Sequence, residues 1–422
     1  MEPAPRPEPR TVIRTYVVLT LCTTLSGSLI WGINTLFLLD AGLSITAAFA
    51  ANAFFTAGMV LFEVPTGVVA DTWGRRASFL LGSLTLVVTT AIYWLAWRVH
   101  GPFWIWAASS ALLGLGFTFF SGATEAWLVD ALKFAGYTGT LESVFSKAQI
   151  VGGAAMLSGS VAGGVIAQWT NLGVPYLLRS LALVVTFAVA FVAMKDWGFV
   201  PTPGKHPVTE MRRVLRASLH YGLGNRPVRW MMLSAIFDGG VGIFAFYAMQ
   251  PYLLELYGNS RAYGIAGLAA AIVAGAQIVG GMAAPRLRRR FRRRTSALLA
   301  GTLVSVASLA LLGAIHVFPV AVLLLVLWAL MFAAILPVRQ AYMNGMIPSE
   351  QRATVLSFDN LLSSSGGVVI QPVLGQVAQA TSYGAAYLVS AAVSLAGAPF
   401  VLLSRRERAP ADTVEQEAPT AT

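Results

Sequence analysis

The sequence has little charge and almost no cysteine. Of its 422 residues, only 11% are Asp, Glu, Lys or Arg, whereas 56% are hydrophobic, and the mean hydropathy is +0.69. A soluble protein carries about a quarter charged residues. The single cysteine, Cys22, excludes an internal disulfide framework. This composition predicts that lipid, and not water, surrounds most of the chain.

Motifs for chemistry on metals, thiols or nucleotides are also missing. The sequence has no HExxH and no CxxC, and its His residues are scattered. The nearest approach to a phosphate-binding loop, residues 198–206, has five residues between its glycines where four are needed, and His206 where Ser or Thr should bind magnesium. We therefore predict no enzyme, no catalytic residue, no metal site and no cofactor, with an ion gradient as the energy source.

Long apolar segments are abundant. A membrane-spanning helix needs about 20 apolar residues, and one long polar interruption, 197–226, separates six such segments from six more. The predicted spans are 14–39, 43–70, 77–98, 103–130, 144–168, 174–196, 227–250, 262–285, 295–316, 319–341, 353–378 and 383–404.

The distribution of basic residues predicts the orientation of these spans. If the N-terminus is inside, nearly all of the 29 Lys and Arg lie in cytoplasmic segments, with Arg98 and Arg261 outside and Arg179 within span six. The net charge of +11 then reflects topology and not nucleic-acid binding. We predict a monomer in the plasma (inner) membrane with both termini cytoplasmic. The predicted organisation is a tail 1–13, a six-helix bundle 14–196, a linker 197–226, a second bundle 227–404 and a tail 405–422.

A short motif occurs twice. GVVADTWGRR at 67–76 follows span two, and GMAAPRLRRR at 281–290 follows span eight. The first glycine and the arginine pair persist, whereas Asp71 is replaced by Pro285. A weaker echo pairs 143–146 with 354–357. The repeat predicts an all-α membrane protein, with twelve transmembrane helices in two pseudo-symmetric six-helix bundles.

These residues resemble a known family. GxxxDxxGRR between spans two and three is similar to the loop signature of the major facilitator superfamily. The segments EVPTGVVAD at 63–71, SGATEAWLVDAL at 121–132 and PSEQRATVLS at 348–357 resemble its drug:proton antiporter-like branch. A glycine-rich GPxxGG motif of the antiporters is matched at 159–164, with Ser160 in place of proline. The resemblance implies the major facilitator fold and secondary transport.

Asp71 lies at the C-terminal end of span two, where the helix dipole is already negative, so it needs a positive partner. Arg75, Arg76 and a neighbouring helix N-terminus are candidates. In the resembled family the aspartate meets the start of span eleven, and the basic residue four positions on pairs with an acid of span four. The alternative is a loop that only fixes topology. The implied conformational switch consists of Gly67, Asp71, Gly74, Arg75, Arg76, Glu125, Asp130, Arg352 and Asp359.

Ionisable groups inside a membrane are costly, and are functional candidates by default. Asp238 lies near the middle of span seven, so we predict a protonatable or cation-attracting site there; the alternative is a fixed structural partner. Arg179 is expected to snorkel and Arg339 to lie at an inner helix end. First spans of each half border the cavity in the resembled family. The predicted proton and substrate site is Asp238, Glu125, Asn34 and Gln250.

Together these features predict a secondary active transporter that works by alternating access. The expected mode is proton-coupled export of a small amphipathic or cationic compound, with the substrate, protons and the lipid bilayer as partners. One alternative is a proton symporter that imports a metabolite. Another, from a different class, is a non-transporting membrane sensor or scaffold, although the short tails show no sensor domain.

Overall fold

The computed structural model describes residues 6–201, 207–348 and 351–413. These residues are mainly helical and contain no β-strand, and 12 helices are long and apolar enough to cross a membrane. The predicted all-α, twelve-span architecture is therefore confirmed for the described chain. The helices are α1 Pro9–Trp31, α2 Asn34–Asp40, α3 Ile45–Trp73, α4 Arg75–Arg98, α5 Phe103–Thr118, α6 Ala123–Phe134, α7 Leu141–Trp169, α8 Gly173–Ala193, α9 Pro207–Ala217, α10 Arg226–Tyr257, α11 Tyr263–Arg289, α12 Arg294–Ala314, α13 Phe318–Asn344, α14 Arg352–Ala380 and α15 Tyr383–Arg406.

Two of the predicted continuous spans are interrupted. The first divides into α1 and α2 around Gly32, and the fourth divides into α5 and α6. Gly122, just before α6, has φ of +67°, a left-handed conformation that glycine adopts without steric cost. Hydropathy alone could not locate these breaks, because the residues around them are as apolar as a continuous helix.

The chain folds into two compact units. Unit 1 comprises residues 1–211 and 249–271, and unit 2 comprises 212–248 and 272–422. The division therefore passes through α10 and α11. Of the described linker residues, 197–201 and 207–211 belong to unit 1 and 212–226 belong to unit 2. The helix α9 and a π-helix, Ser218–Leu223, lie between α8 and α10.

Glycine allows the helices of unit 1 to approach closely. An added Cβ on Gly58 or Gly114 would overlap the backbone of the facing helix in the α3–α5 pair, and one on Gly163 would overlap the backbone of Leu29 in the α1–α7 pair. In lipid, such close van der Waals packing holds helices together, since lipid tails are as apolar as leucine. The α4–α8 pair completes this set of main helix pairs.

Unit 2 uses the same span pairs. Gly280 of α11 meets the backbone of Leu330 in α13, Gly366 of α14 meets Ile236 in α10, and Gly313 of α12 meets Gly384 in α15. These are the second-with-fourth, fifth-with-first and third-with-sixth spans of the second half. The matching pairs in unit 1 are α3 with α5, α7 with α1 and α4 with α8. The predicted pseudo-symmetry is confirmed at the level of these helix pairs.

An aspartate after the last span of each half caps the third span. In unit 1, Asp196 accepts a hydrogen bond from the Arg76 backbone N–H at 2.8 Å. In unit 2, Asp412 accepts from the Thr295 N–H at 2.8 Å and from its hydroxyl at 2.9 Å. The first N–H groups of a helix lack intrahelical partners and favour negative charge. The beginning of the predicted tail 405–422 therefore docks on unit 2 through the buried Asp412.

The glycine contacts predict which substitutions the packing tolerates. We expect Gly114→Ala to destabilise the protein by about 1–3 kcal/mol, because the new methyl group overlaps the backbone of α3. Gly281→Ala, where no described atom lies within 4 Å of the new Cβ, should be neutral or slightly stabilising through its better helix propensity. Thermal unfolding in detergent, followed by tryptophan fluorescence, measures both. Equal melting temperatures for the two variants would contradict the packing argument.

Candidate functional site

A charged cluster lies within the helices of unit 2. Arg339 of α13 forms a bidentate ion pair with Asp359 of α14: its Nη2 donates to Oδ1 at 2.6 Å, and its Nη1 donates to Oδ2. The same Nη2 also donates to the backbone oxygen of Met231 in α10, at 2.9 Å. The planar guanidinium fits a carboxylate in this two-bond geometry. One arginine therefore joins three helices of unit 2.

Asp238 lies two helical turns after Met231 on α10 and is half-buried. The charge of Arg339 acts on it electrostatically, but within the described residues no hydrogen bond or ion pair satisfies its carboxylate. The Asp359 side chain, by contrast, is only 4% exposed and directly paired. The cluster thus contains two carboxylates and one guanidinium, and Asp238 is the carboxylate with less compensation.

This arrangement gives two residues partners that the sequence did not identify. Asp359, predicted to belong to the conformational switch, is in this structure the partner of Arg339. Arg339, interpreted from sequence as a charge at a helix end, is instead a partly buried cation that is paired with a neighbouring helix. Its position inside the predicted span 319–341 was the signal for this role, since a charge there must find a partner.

A second polar network lies in unit 1, around the break between α1 and α2. Asn34 Nδ2 donates to Asn52 Oδ1 at 2.9 Å, and the Tyr176 hydroxyl donates to Asn34 Oδ1 at 2.9 Å. The ring of Tyr176 stacks on Phe37, with centroids 3.8 Å apart. Two helices, α3 and α8, therefore hold the first turn of α2.

Gln250 joins the same region. It is fully buried, and its amide bonds to the Trp31 backbone oxygen at 2.7 Å and to the Thr35 backbone N–H at 2.9 Å. Asn34 and Gln250, both predicted site residues, are thus brought to one place. In this conformation the side-chain amide of Gln250 is hydrogen-bonded to backbone groups. Asp238 belongs to unit 2, and Glu125 lies on α6 with an exposed side chain.

The charged residues of the loop motif at 67–76 are bonded to other residues of unit 1. Asp71 Oδ1 and Arg75 Nη1 are 2.7 Å apart, and Gly74 between them has φ of +110°. Arg76 donates through Nη2 to the Phe191 oxygen at 2.6 Å, and its guanidinium lies 5.1 Å from the centre of the Phe191 ring. Glycine is required at position 74 because few other residues adopt this backbone conformation.

Asp196 completes the loop and was not predicted from the sequence. An added Cβ on Gly74 would overlap the Asp196 carboxylate, so the two groups are in direct contact. Burial raises the pKa of Asp196 above its ordinary value, while the Arg76 N–H and the charges of Arg76 and Arg75 oppose that rise. The only signal in the sequence was an acidic residue at the end of the predicted span 174–196, which does not identify a partner 120 residues away.

The other expected switch contacts differ from the resemblance. Within the described residues no ion pair joins Arg75 to Glu125 or Asp130, because Arg75 is paired with Asp71 across the turn. No described atom lies within 4 Å of an added Cβ on Gly67, so this glycine makes no close helix contact in this conformation. Arg352 is exposed at the start of α14.

Arg179 is buried and does not snorkel. It is 2% exposed, its Nε donates to the Thr90 hydroxyl at 3.2 Å, and its guanidinium lies 5.8 Å from the centre of the Phe117 ring. It therefore links α8 to α4 and α5. Among the described residues, no group of three or more His, Cys, Asp or Glu side chains is placed to hold a metal ion.

Comparisons with known proteins agree with this architecture. The sequence profile of the Major Facilitator Superfamily matches residues 16–313 and 261–422. A sequence search of curated proteins gave no match.

Solved transporter structures have a similar fold. The crystal structure of the nucleoside transporter NupG is 11% identical, with a TM-score of 0.75, over 94% of this chain and 99% of that one. A bacterial homolog of the human lysosomal transporter Spinster, inward-facing and unoccupied, is 13% identical, with a TM-score of 0.74, over 98% of this chain and 100% of that one. The POT family transporter PepTSo is 12% identical, with a TM-score of 0.72, over 95% of this chain and 98% of that one. At these identities the similarity establishes the fold alone.

The Arg339–Asp359 pair predicts strongly non-additive mutations. Arg339→Leu leaves Asp359 buried and unpaired, and Asp359→Leu takes the paired carboxylate away from the partly buried Arg339, so each should destabilise by about 3–5 kcal/mol. The double variant removes both charges and should lose much less than the sum. Thermal unfolding of the four proteins in detergent gives the coupling energy. An additive double variant would mean that the two side chains do not depend on each other.

Proposed function

Because the chain belongs to the major facilitator superfamily, we propose that it is a proton-coupled secondary transporter. It would work by alternating access and export a small amphipathic or cationic compound. The family and the structural neighbours are transporters, which supports transport in general. The antiporter-like segments at 63–71, 121–132 and 348–357 support the choice of export.

The observation that carries proton coupling is the unequal pairing of the two acids in unit 2. Arg339 is committed to Asp359 by two hydrogen bonds. Among the residues that the structure describes, Asp238, half-buried on a transmembrane helix, has only the electrostatic attraction of that arginine. A carboxylate in such surroundings gains by taking up a proton or a cation. If its access to water alternates, it exchanges a proton for a cationic substrate.

The protein is integral to the membrane, and we place it in the plasma membrane with the termini and the 197–226 segment on the cytoplasmic side, because basic residues concentrate there. The predicted bundles 14–196 and 227–404 would be the moving halves. Among the solved neighbours are a nucleoside transporter and a POT family transporter bound to 5-aminolevulinic acid, so their substrates are of different kinds and select none for this chain.

The loop motif would act as a switch between conformations. In the described conformation Asp71 is paired with Arg75, and we place the start of α14, at Arg352, as its partner in the alternate conformation. Gly74 and Asp196 would hold the loop in register during the exchange.

Reconstituted protein with an imposed pH gradient tests proton coupling. Gradient-driven movement of a cationic amphipathic probe is expected for the parent, and its direction separates antiport from symport. Asp238→Asn should abolish the gradient dependence, because an amide cannot carry a proton between the two aqueous phases. Glu142→Gln, at an exposed acid of α7, is the matched control and should behave as the parent. Unchanged pH dependence in Asp238→Asn removes Asp238 from the coupling role.

A turnover measurement tests the switch. Asp71→Asn removes the charge while keeping the side-chain shape, and loss of a charge-assisted contact worth about 1.5–3 kcal/mol should slow turnover roughly tenfold or more. Substrate binding should change little, since Asp71 lies at the end of α3. Glu142→Gln again serves as the control. Normal turnover in Asp71→Asn would reject the switch.

A further inference from the structure

In the first membrane span, a side chain takes the place of one backbone-to-backbone hydrogen bond of the helix. In a continuous helix the N–H of residue 35 would donate to the carbonyl oxygen of residue 31. Here Thr35 N donates to Gln250 Oε1 at 2.9 Å, and Gln250 Nε2 donates to Trp31 O at 2.7 Å. The primary amide, with one acceptor and one donor, is inserted between the two backbone groups and completes both.

The backbone bends at the same place. α1 ends at Trp31 and α2 begins at Asn34, and Ile33 between them has φ of −131° and ψ of 1°, outside the helical region. Insertion of a side chain into the hydrogen-bond ladder is an established cause of helix kinks. The insertion and the kink therefore have one origin, and Gln250, from the seventh span, determines the shape of the first.

The surroundings of the break are tightly packed within unit 1. An added Cβ on Gly32 would come within 2.9 Å of Gly267 Cα and 3.1 Å of Ala270 Cβ, both in α11. Gly164 of α7 would likewise meet Gly267 Cα at 2.9 Å. Ala266, which is fully buried, joins the same core as Ile33. The two hydrogen bonds of Gln250 therefore lie next to the place where residues 262–270 pack on α1 and α7.

We infer that Gln250 is a positioning residue that exchanges with a backbone hydrogen bond during the transport cycle. When the seventh span moves away from the first, Gln250 withdraws, and Thr35 N and Trp31 O bond directly to each other. The break then closes, and Thr35 N and Trp31 O have a partner in both conformations, which keeps the exchange inexpensive in lipid. The inference rests on the proposed function for this alternation, and on the two hydrogen bonds for the residue.

Thiol accessibility of a buried position next to the break tests the inference. The single native cysteine is first removed by Cys22→Ser, and Ala266→Cys then introduces a thiol that the parent contact shields from a membrane-impermeant maleimide. Gln250→Leu cannot bridge the break, and Gln250→Asn is one methylene too short. Both should favour the closed helix and raise the alkylation rate about fivefold or more, the change expected from losing an ordinary buried hydrogen bond. Gln250→Glu retains the acceptor for Thr35 N and should give an intermediate rate.

Two controls separate this exchange from general destabilisation. Gln149→Leu, at an exposed glutamine of α7, should leave the rate at the parent value. Ala297→Cys, in the buried core of unit 2, should stay unreactive in every Gln250 variant. Parent-like rates in both folded variants, Gln250→Leu and Gln250→Asn, or equal gains at Ala297→Cys, would overturn the inference. Failure of pH-driven transport in the parent would reject the proposed function and leave the alkylation result standing.

Discussion

Lipid offers no hydrogen bonds, and this constraint governs the whole chain. Each backbone N–H and C=O within the membrane must find a partner inside the protein. Regular helices meet the requirement along most of the sequence, and the irregular positions meet it by other means. Gln250 completes the break in the first span, and Asp196 and Asp412 complete the first turns of the third and ninth spans. At these three positions a polar side chain therefore supplies the hydrogen bond that the helical ladder lacks.

The same solvent explains how the helices associate. Hydrophobic burial gives no advantage between helices in lipid, so close contact at small residues takes its place. Glycines at the second-with-fourth and fifth-with-first span pairs meet backbone in both units. The repeated halves therefore share a packing pattern although their loop motifs have diverged, with Pro285 where the first copy has Asp71. Packing tolerates such divergence, because the contact depends on small size and not on the loop.

The charged residues inside the helices of this molecule are of two kinds, those with direct partners and those without. Arg179 and Arg339 are fixed by neighbours, the first by a hydroxyl and an aromatic ring and the second by a carboxylate and a carbonyl. Asp238 has no such direct partner among the described residues. A paired charge is a structural element, whereas a poorly compensated one can respond to protons or cations. This difference, and not the number of charges, is what directs attention to Asp238.

The sequence by itself determined the solvent, the number of spans and the repeat, because apolar length, arginine placement and the GVVADTWGRR echo are properties of the chain alone. It also identified Asp71, Asp238, Asn34 and Gln250 as polar residues that need an explanation. Only the tertiary structure decided their partners: Asp359 with Arg339, Asp196 with the loop, and Gln250 with Trp31 and Thr35. Each of these contacts joins residues far apart along the chain or across a turn whose geometry is not encoded in hydropathy. A charge or amide within an apolar segment indicates that a hydrogen-bonding or charged partner is needed. Which group is that partner depends on the packing of the helices.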